Sequence, residues 1–322
     1  SKYKVNMLIL LYKHIFTQVA VSIYLQTMIS ITPKEVSTAK LHGYLLSAVS
    51  PRPIAFASTM DKDGNVNLSP FSFFNVFSAN PPILIFSPAR RVRDNTTKHT
   101  LENVLKTKEV VINIVNFEMV QQMSLSSTEY PDGVNEFVKA GFTQVPSDMV
   151  KPPRVGEAPV QFECKVNDVI ALGAEGGAGN LIIAEVVKLH IKESVLDAEG
   201  KIDAVKIDTV ARMGANWYNR SKEGMFEVLK PIRTMGIGVD ALPISIRNST
   251  VLTGNDLGIL GNSEKTPNEE EVREFIKLGI DKCPHIDPTN KENTQKQAKE
   301  MLQKGIVFDA FRLLLAIDLM NK

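Results

Sequence analysis

Residues 50–75 read "SPRPIAFASTMDKDGNVNLSPFSFFN", and the fold turns on how this stretch is parsed. "RPIAFASTMD" has the look of a strand, and "DKDGN" at 61–65 is a glycine-containing turn of the hairpin kind. "VNLSPFSFFNVFS" then returns as the partner segment. Asp61 and Asp63 flank the turn and read as turn formers rather than catalytic acids. A plain core hairpin has no need of so many short hydroxyl side chains beside phenylalanines, so the stretch is a candidate for holding something.

Working outward, "PPILIFSPA" (81–89) is a short apolar strand and "HTLENVLKTKE" (99–109) carries helical spacing at Leu101, Val104 and Leu105. "VVINIVN" (110–116) is β-branched and strand-like, and "FEMVQQMSLSS" (117–127) reads as a second helix. Residues 33–48 read as a helical turn and a strand, and 128–156 as a loop. "QFECKVNDVIALG" (161–173) and "NLIIAEVVKLHIKESVL" (180–196) are two more strands joined by the turn "AEGGAGN", and "GKIDAVKID" continues in the same style. Many short strands with turns between them and a few helices predict a mainly β barrel with helical decoration. The tail differs. "TPNEEEVREFIKLGI" opens with Thr266 as N-cap, Pro267 at the first helical position and acids in the first turn. Helices are also expected at about 289–304 and in "IVFDAFRLLLAIDLM". The expected organisation is an atypical segment 1–27, a barrel domain 28–227 and a mostly helical extension 228–322.

The segment 1–27 is apolar, but Lys13 and His14 interrupt it. Its apolar runs fall short of the roughly 20 residues a membrane span needs, and it lacks a small-x-small cleavage site. Met28 is the expected natural start. The formal net charge of +1 argues against bulk attraction to nucleic acid or anionic lipid, and the short basic cluster "RRVRDNTTKHT" has no interleaved aromatics. With 2 cysteines, Cys164 and Cys283, and no Cys-x-x-Cys, a reducing, cytoplasmic setting is expected.

A phosphate group needs N–H donors, hydroxyls and a cation or two. Ser58, Thr59, Asn67, Ser69 and Ser72 offer donors, Phe56, Phe71, Phe73 and Phe74 offer apolar walls, and Arg90, Arg91, Arg93, Lys98 and Thr100 follow just downstream. The same residues suit an exposed strand and a solvated loop, and the residue types alone leave both readings open.

The stretch 50–75, then "NPPILIFS", "KHTLENV", "VNEFVKAGF", "APVQFECKV", "LIIAEVVKLHI" and "VARMGANWY", in that order, resembles the flavin reductase-like family with the FMN-binding split barrel, to which flavoredoxin belongs. The resemblance spans about residues 40–218. It implies a six-stranded Greek-key barrel, a homodimer, and FMN held non-covalently near the subunit interface. It implies FMN contacts from Phe56, Ser58, Thr59, Asn67, Ser69, Ser72, Lys98, Thr100 and Tyr218. The family pattern Lys-Asp-Thr reads Lys98-His99-Thr100 here, so His99 stands where an Asp is usual. Arg212 also matches, and Trp217 or Tyr218 is expected to flank the ring.

On that resemblance the chain is an oxidoreductase in which NAD(P)H passes a hydride to flavin N5 and electrons go on to a second acceptor. The cofactor supplies the chemistry, so no catalytic side chain and no metal is expected. G-x-S-x-G, H-E-x-x-H and Walker A patterns are missing from the sequence. Cys283 and His285 in "DKCPHID" lack a second ligand pair, His190 reads as structural, and Cys164 reads as a small core residue. Two alternatives stand beside the enzyme: an FMN-binding electron carrier without nicotinamide turnover, and an interaction protein whose helical tail is the working part.

Overall fold

The computed structural model describes residues 28–228, 235–282 and 290–320. The expectations for 1–27, Cys283 and His285 fall outside them. The described residues up to Met225 form one compact unit, and those from Phe226 form a second.

In the first unit, β1 (Ala55–Met60) and β2 (Val66–Phe71) pair antiparallel, with Met60 opposite Val66. Asp61 holds the turn between them, since its Oδ1 accepts the N–H groups of Asp63 and Asn65 at 2.9 and 2.8 Å. The sheet continues with β3 (Phe74–Ala79), β4 (Pro82–Phe86) and β5 (Glu109–Ile114). The short pair β6 (Gln144–Val145) and β7 (Arg154–Val155) stands apart. The long strands β8 (Val160–Ala171) and β9 (Asn180–Ile191) complete the main sheet, and β10 (Val210–Arg212) pairs with β11 (Tyr218–Arg220).

The main sheet has seven strands in the order β2-β1-β5-β8-β9-β4-β3, all neighbours antiparallel. Its edges are β2 and β3, yet only Ser72 and Phe73 separate these strands in the chain. Three Cα steps reach at most about 11 Å, so the sheet rolls until its edges lie close without pairing. The result is a split barrel rather than a ladder closed by hydrogen bonds. The expectation of six strands is corrected to seven, because "VNLSPFSFFNVFS" breaks at Ser72–Phe73 into two strands that occupy opposite edges.

Helices cover the barrel. They are α1 (Thr38–Ala48), α2 (His99–Thr107), α3 (Val120–Leu125), α4 (Glu136–Ala140) and α5 (Ala204–Ile207). The strand expected near 38–48 is thus the helix α1, whose N-cap Ser37 accepts the Lys40 N–H. The strand expected at "GKIDAVKID" gives way to α5, capped by Asp203. Strand alternation splits the core in two. Ala55 and Ala57 face the barrel interior with Phe86, Ile112 and Ile182, plugged by Leu101 and Val104 of α2. Ile54 and Phe56 face the other way, under Met119, Met123 and Phe137.

The second unit is helical: α6 (Ile244–Arg247), α7 (Gly254–Gly261), α8 (Glu269–Lys282), α9 (Lys291–Gln303) and α10 (Val307–Met320). Its own core gathers Leu242, Ile246, Leu260, Phe311 and Leu314. The start of α8 corrects the expected cap. Asn268, not Thr266, accepts the Glu271 N–H at 2.8 Å, and Glu271 accepts the Asn268 N–H at 2.8 Å. This reciprocal box satisfies two end donors at once. Among the described residues, no helix is long and apolar enough to cross a membrane.

Candidate functional site

The expected site residues separate into three groups. Phe56 and Ser58 are fully buried on the α3–α4 face of β1, and Phe56 packs edge-on against Phe142 with ring centroids 5.3 Å apart. Ser58 Oγ has no hydrogen-bond partner among the described residues. Thr59 points to the opposite face, because successive strand residues alternate. These two neighbours therefore do not present a pair of hydroxyls side by side.

Thr59, Asn67 and Thr100 belong to the second group. Asn67 Nδ2 donates to Thr100 Oγ1 at 2.8 Å, and Asn103 Nδ2 donates to Thr59 Oγ1 at 3.1 Å. All four side chains are buried, and they tie α2 to the β1–β2 hairpin. Their polar atoms fix the position of the α2 N-terminus. Ser69 is half-buried on β2 opposite Ala57, and Ser72 Oγ accepts from Arg52 Nε at a long 3.5 Å.

The third group lines two cavities. At the α2 N-terminus, Lys98 is the N-cap and no side chain caps the helix. Lys98 borders a basic pocket of about 280 Å³ with His42, Arg90, Arg91, Arg93, Glu129 and Gly177. Burial, then repulsion from Arg91 and Arg93, pushes the Lys98 ammonium below its usual pKa, with Glu129 pulling the other way. Lys98 forms no ion pair among the described residues, whereas the arginines are braced. Arg90 donates to Asn95, and Arg91 to Thr96 Oγ1 and the Thr97 carbonyl. Asp94 accepts from Thr96 and Arg93, which pulls its pKa down to about 2. The turn "AEGGAGN" forms the floor behind this loop. A Cβ on Gly176 would lie 3.0 Å from the Arg91 carbonyl oxygen, and Gly177 adopts φ +92°. An unpaired half-buried ammonium at an open helix N-terminus is a donor set suited to an anion. A phosphate fits the residues present.

Tyr218 lines a second cavity of about 530 Å³, together with Ser47, Met213, Gly214, Ala215, Trp217 and Asn219. That volume lies in the range of small-molecule clefts. The Arg212 guanidinium sits 4.7 Å from the centroid of the Tyr218 ring, while Trp217 is 75% exposed. Helix α1 supplies one residue to each cavity, His42 to the basic pocket and Ser47 to the second. Five residues of helix rise by about 7.5 Å. Helix α1 buries none of its own residues. It is pinned instead by buried Arg52, which donates to the carbonyls of Leu46, Val49 (2.6 Å) and Met213 (2.9 Å). His42, Ser47, Arg52, Glu129 and Gly177 are absent from the sequence-derived set. Of these, Arg52 in "SPRP" and the glycine pair in "EGGAG" left a mark in the sequence.

His190 has the structural role expected of it. Its Nε2 lies 2.7 Å from Glu163 Oε1, and Glu163 is buried. Asp148, Glu163 and His190 form the one group among the described residues with metal-ligand spacing. Glu163, however, already accepts the Asp148 and Met149 N–H groups at 2.9 and 2.6 Å, and Lys188 pairs with Asp148. These carboxylates are occupied by the protein's own donors. Cys164 is buried, as expected of a small core residue.

Residues 47–221 match the model of the flavin reductase like domain. An uncharacterized protein of Aquifex aeolicus is 40% identical over 185 residues, covering 58% of this chain and 92% of that one. YwrF of Bacillus subtilis, also uncharacterized, is 31% identical over 200 residues, covering 61% and 96%. Among solved structures, nitrilotriacetate monooxygenase component B from Bacillus cereus superposes with a TM-score of 0.58 at 28% identity, over 63% of this chain and 98% of that one. A candidate flavin reductase with a split barrel domain from Shewanella frigidimarina shares the fold, with a TM-score of 0.53 at 24% identity over 63% and 100%. The second compact unit begins after the last residue of the family match.

Proposed function

We propose, since this chain belongs to the flavin reductase like domain family, that its barrel unit binds FMN and acts as an NAD(P)H-dependent oxidoreductase. The observation that carries the reading is Lys98, half-buried at the open N-terminus of α2 and without an ion pair among the described residues; a second cavity of ring-binding size is bordered, like the basic pocket, by a residue of α1. Lys98 would hold the phosphate, with Arg91 and the first-turn N–H groups of α2 beside it. Ser69 and Ser72 on the β2 side would face the ribityl chain. Tyr218 and Trp217 would wall the ring. Thr59, Asn67 and Thr100 act one step back, as the struts that aim α2.

When bound, FMN supplies the hydride acceptance and electron transfer. The chain's own residues then bind, orient and shield. Arg52 keeps α1 over both cavities, and the arginine loop neutralises the phosphate charge of about −1.5 to −2. The reading takes the chain as a homodimer that passes electrons to a separate acceptor. The edge strand β3 supports the dimer, with Val76 and Phe77 both 64% exposed.

Steady-state oxidation of NADH and of NADPH by the full chain, with and without added FMN, tests the activity. FMN-dependent turnover is expected. FMN binding without turnover would favour the electron carrier, and no FMN binding would leave the barrel without this function.

A further inference from the structure

We propose that Glu129 is a displaceable counter-anion that competes with phosphate for the arginine loop and so keeps the bound flavin exchangeable. The inference takes its flavin from the function proposed above. The competition itself concerns any phosphate monoester.

Two carboxylates bond to the arginines of the loop, Asp94 and Glu129, and they are held differently. Asp94 belongs to the loop and is locked by the Thr96 N–H and hydroxyl as well as by Arg93. Glu129 comes from a separate loop, between α3 and α4, where residues 127–129 and 131–133 are exposed. Among the described residues its side chain accepts from arginines alone, Arg91 Nε and Arg93 Nη2, each at 3.1 Å. Arg93 and then Arg91 hold its carboxyl below the usual range. Glu129 borders the same pocket as Lys98.

The carboxylate thus takes two charge-assisted bonds of the kind that a phosphate would take. A phosphate entering the pocket meets Glu129 as a repelling neighbour and as a rival for Arg91 and Arg93. A phosphate that leaves is replaced by Glu129, which restores its bonds to Arg91 and Arg93. The effect lowers affinity and speeds release without altering the ring cavity. Opposite behaviour follows if Glu129 merely orders the arginines for the ligand, because its loss would then weaken binding.

The test uses the full chain and Glu129→Gln, which keeps the shape and removes the charge. Thermal melts are run with sodium phosphate against sodium chloride at matched ionic strength. Flavin fluorescence titrations are run with FMN and with riboflavin, which lacks the phosphate. The proposal expects a larger phosphate-dependent rise in Tm for E129Q. It expects an FMN Kd lowered about fivefold, the scale of two exposed ion pairs, with slower release. The riboflavin Kd should stay the same. An unchanged or weakened response of E129Q to both phosphate and FMN overturns it. If neither protein binds FMN but E129Q gains phosphate stabilisation, the flavin reading fails and the competition stands. If FMN binds both equally and phosphate does not distinguish them, the flavin reading stands and the competition fails.

Discussion

Replacing Lys98 by Ala removes the cation on which the phosphate assignment rests. In the ligand-free protein the ammonium is half-buried, repelled by Arg91 and Arg93, and without an ion-pair partner among the described residues. Its folded pKa lies below that of the unfolded chain. The unfolded state therefore binds more protons near that range, and the penalty present at neutral pH fades as pH rises through the depressed folded value towards 10.5. Removing Lys98 should then leave the ligand-free protein as stable as before, or slightly more so. Binding should respond in the opposite sense. A charge-assisted contact is worth about 1.5–3 kcal/mol, and each 1.4 kcal/mol is tenfold, so the FMN Kd should rise about 10- to 100-fold. Riboflavin, which has no phosphate, should bind both proteins alike. Fluorescence titration with the two flavins gives the comparison, and urea unfolding gives the stability. An FMN Kd within twofold of wild type, or an equal loss for riboflavin, would refute the reasoning.

Four further outcomes follow. Asp94→Asn should weaken the arginine loop at neutral pH, and since the Asp94 pKa is pulled from 3.8 down to about 2, the difference from wild type should fade as pH falls through that window; melts at pH 7, 4 and 2 check it. Arg52→Ala leaves the Leu46, Val49 and Met213 carbonyls without their donor and should cost about 3 kcal/mol in urea unfolding, with Arg52→Lys recovering part. Trp217 is the only tryptophan in the chain and borders the second cavity, so FMN should quench tryptophan emission in a saturable way; an unchanged emission at saturating FMN would place the ring elsewhere. A chain ending at Met225 should fold and bind FMN as the full chain does, since the described residues before and after that point form separate compact units with their own cores. Loss of binding would tie the helical unit to the site.

Much of the barrel was legible because local rules decide it. The 61–65 turn, the β-branched run of β5, the two long strands and the apolar periodicity of α2 each speak through their own residues. The ordered motifs from 50 to 218 pointed to the family. What the sequence hid are choices made by distant partners. Nothing local says that Thr59 will accept from the Asn103 amide or that Asn67 will donate to the Thr100 hydroxyl, because those partners arrive from a helix 44 and 33 residues on. The same holds for Ser58, which strand alternation turns into the core beside an apparently equivalent Thr59. Helix α1 carries helical apolar spacing at Leu41, Tyr44, Leu45 and Ala48, yet none of its residues is buried, so core packing does not decide its place. Its place depends on Arg52. Glu129 left no signal at all, since a single carboxylate in a polar loop looks like any solvated charge until the arginines across from it are known. The turn at 174–180 is legible in its glycines, but its second task, letting the arginine loop approach the backbone of Gly176, is visible only in three dimensions.

The most direct test of the central claim is a crystal structure of the full chain grown with FMN. The phosphate is expected against Lys98 and the open N-terminus of α2, with the ring in the cavity bordered by Trp217 and Tyr218. A phosphate bound away from Lys98, or a flavin in neither cavity, would contradict it.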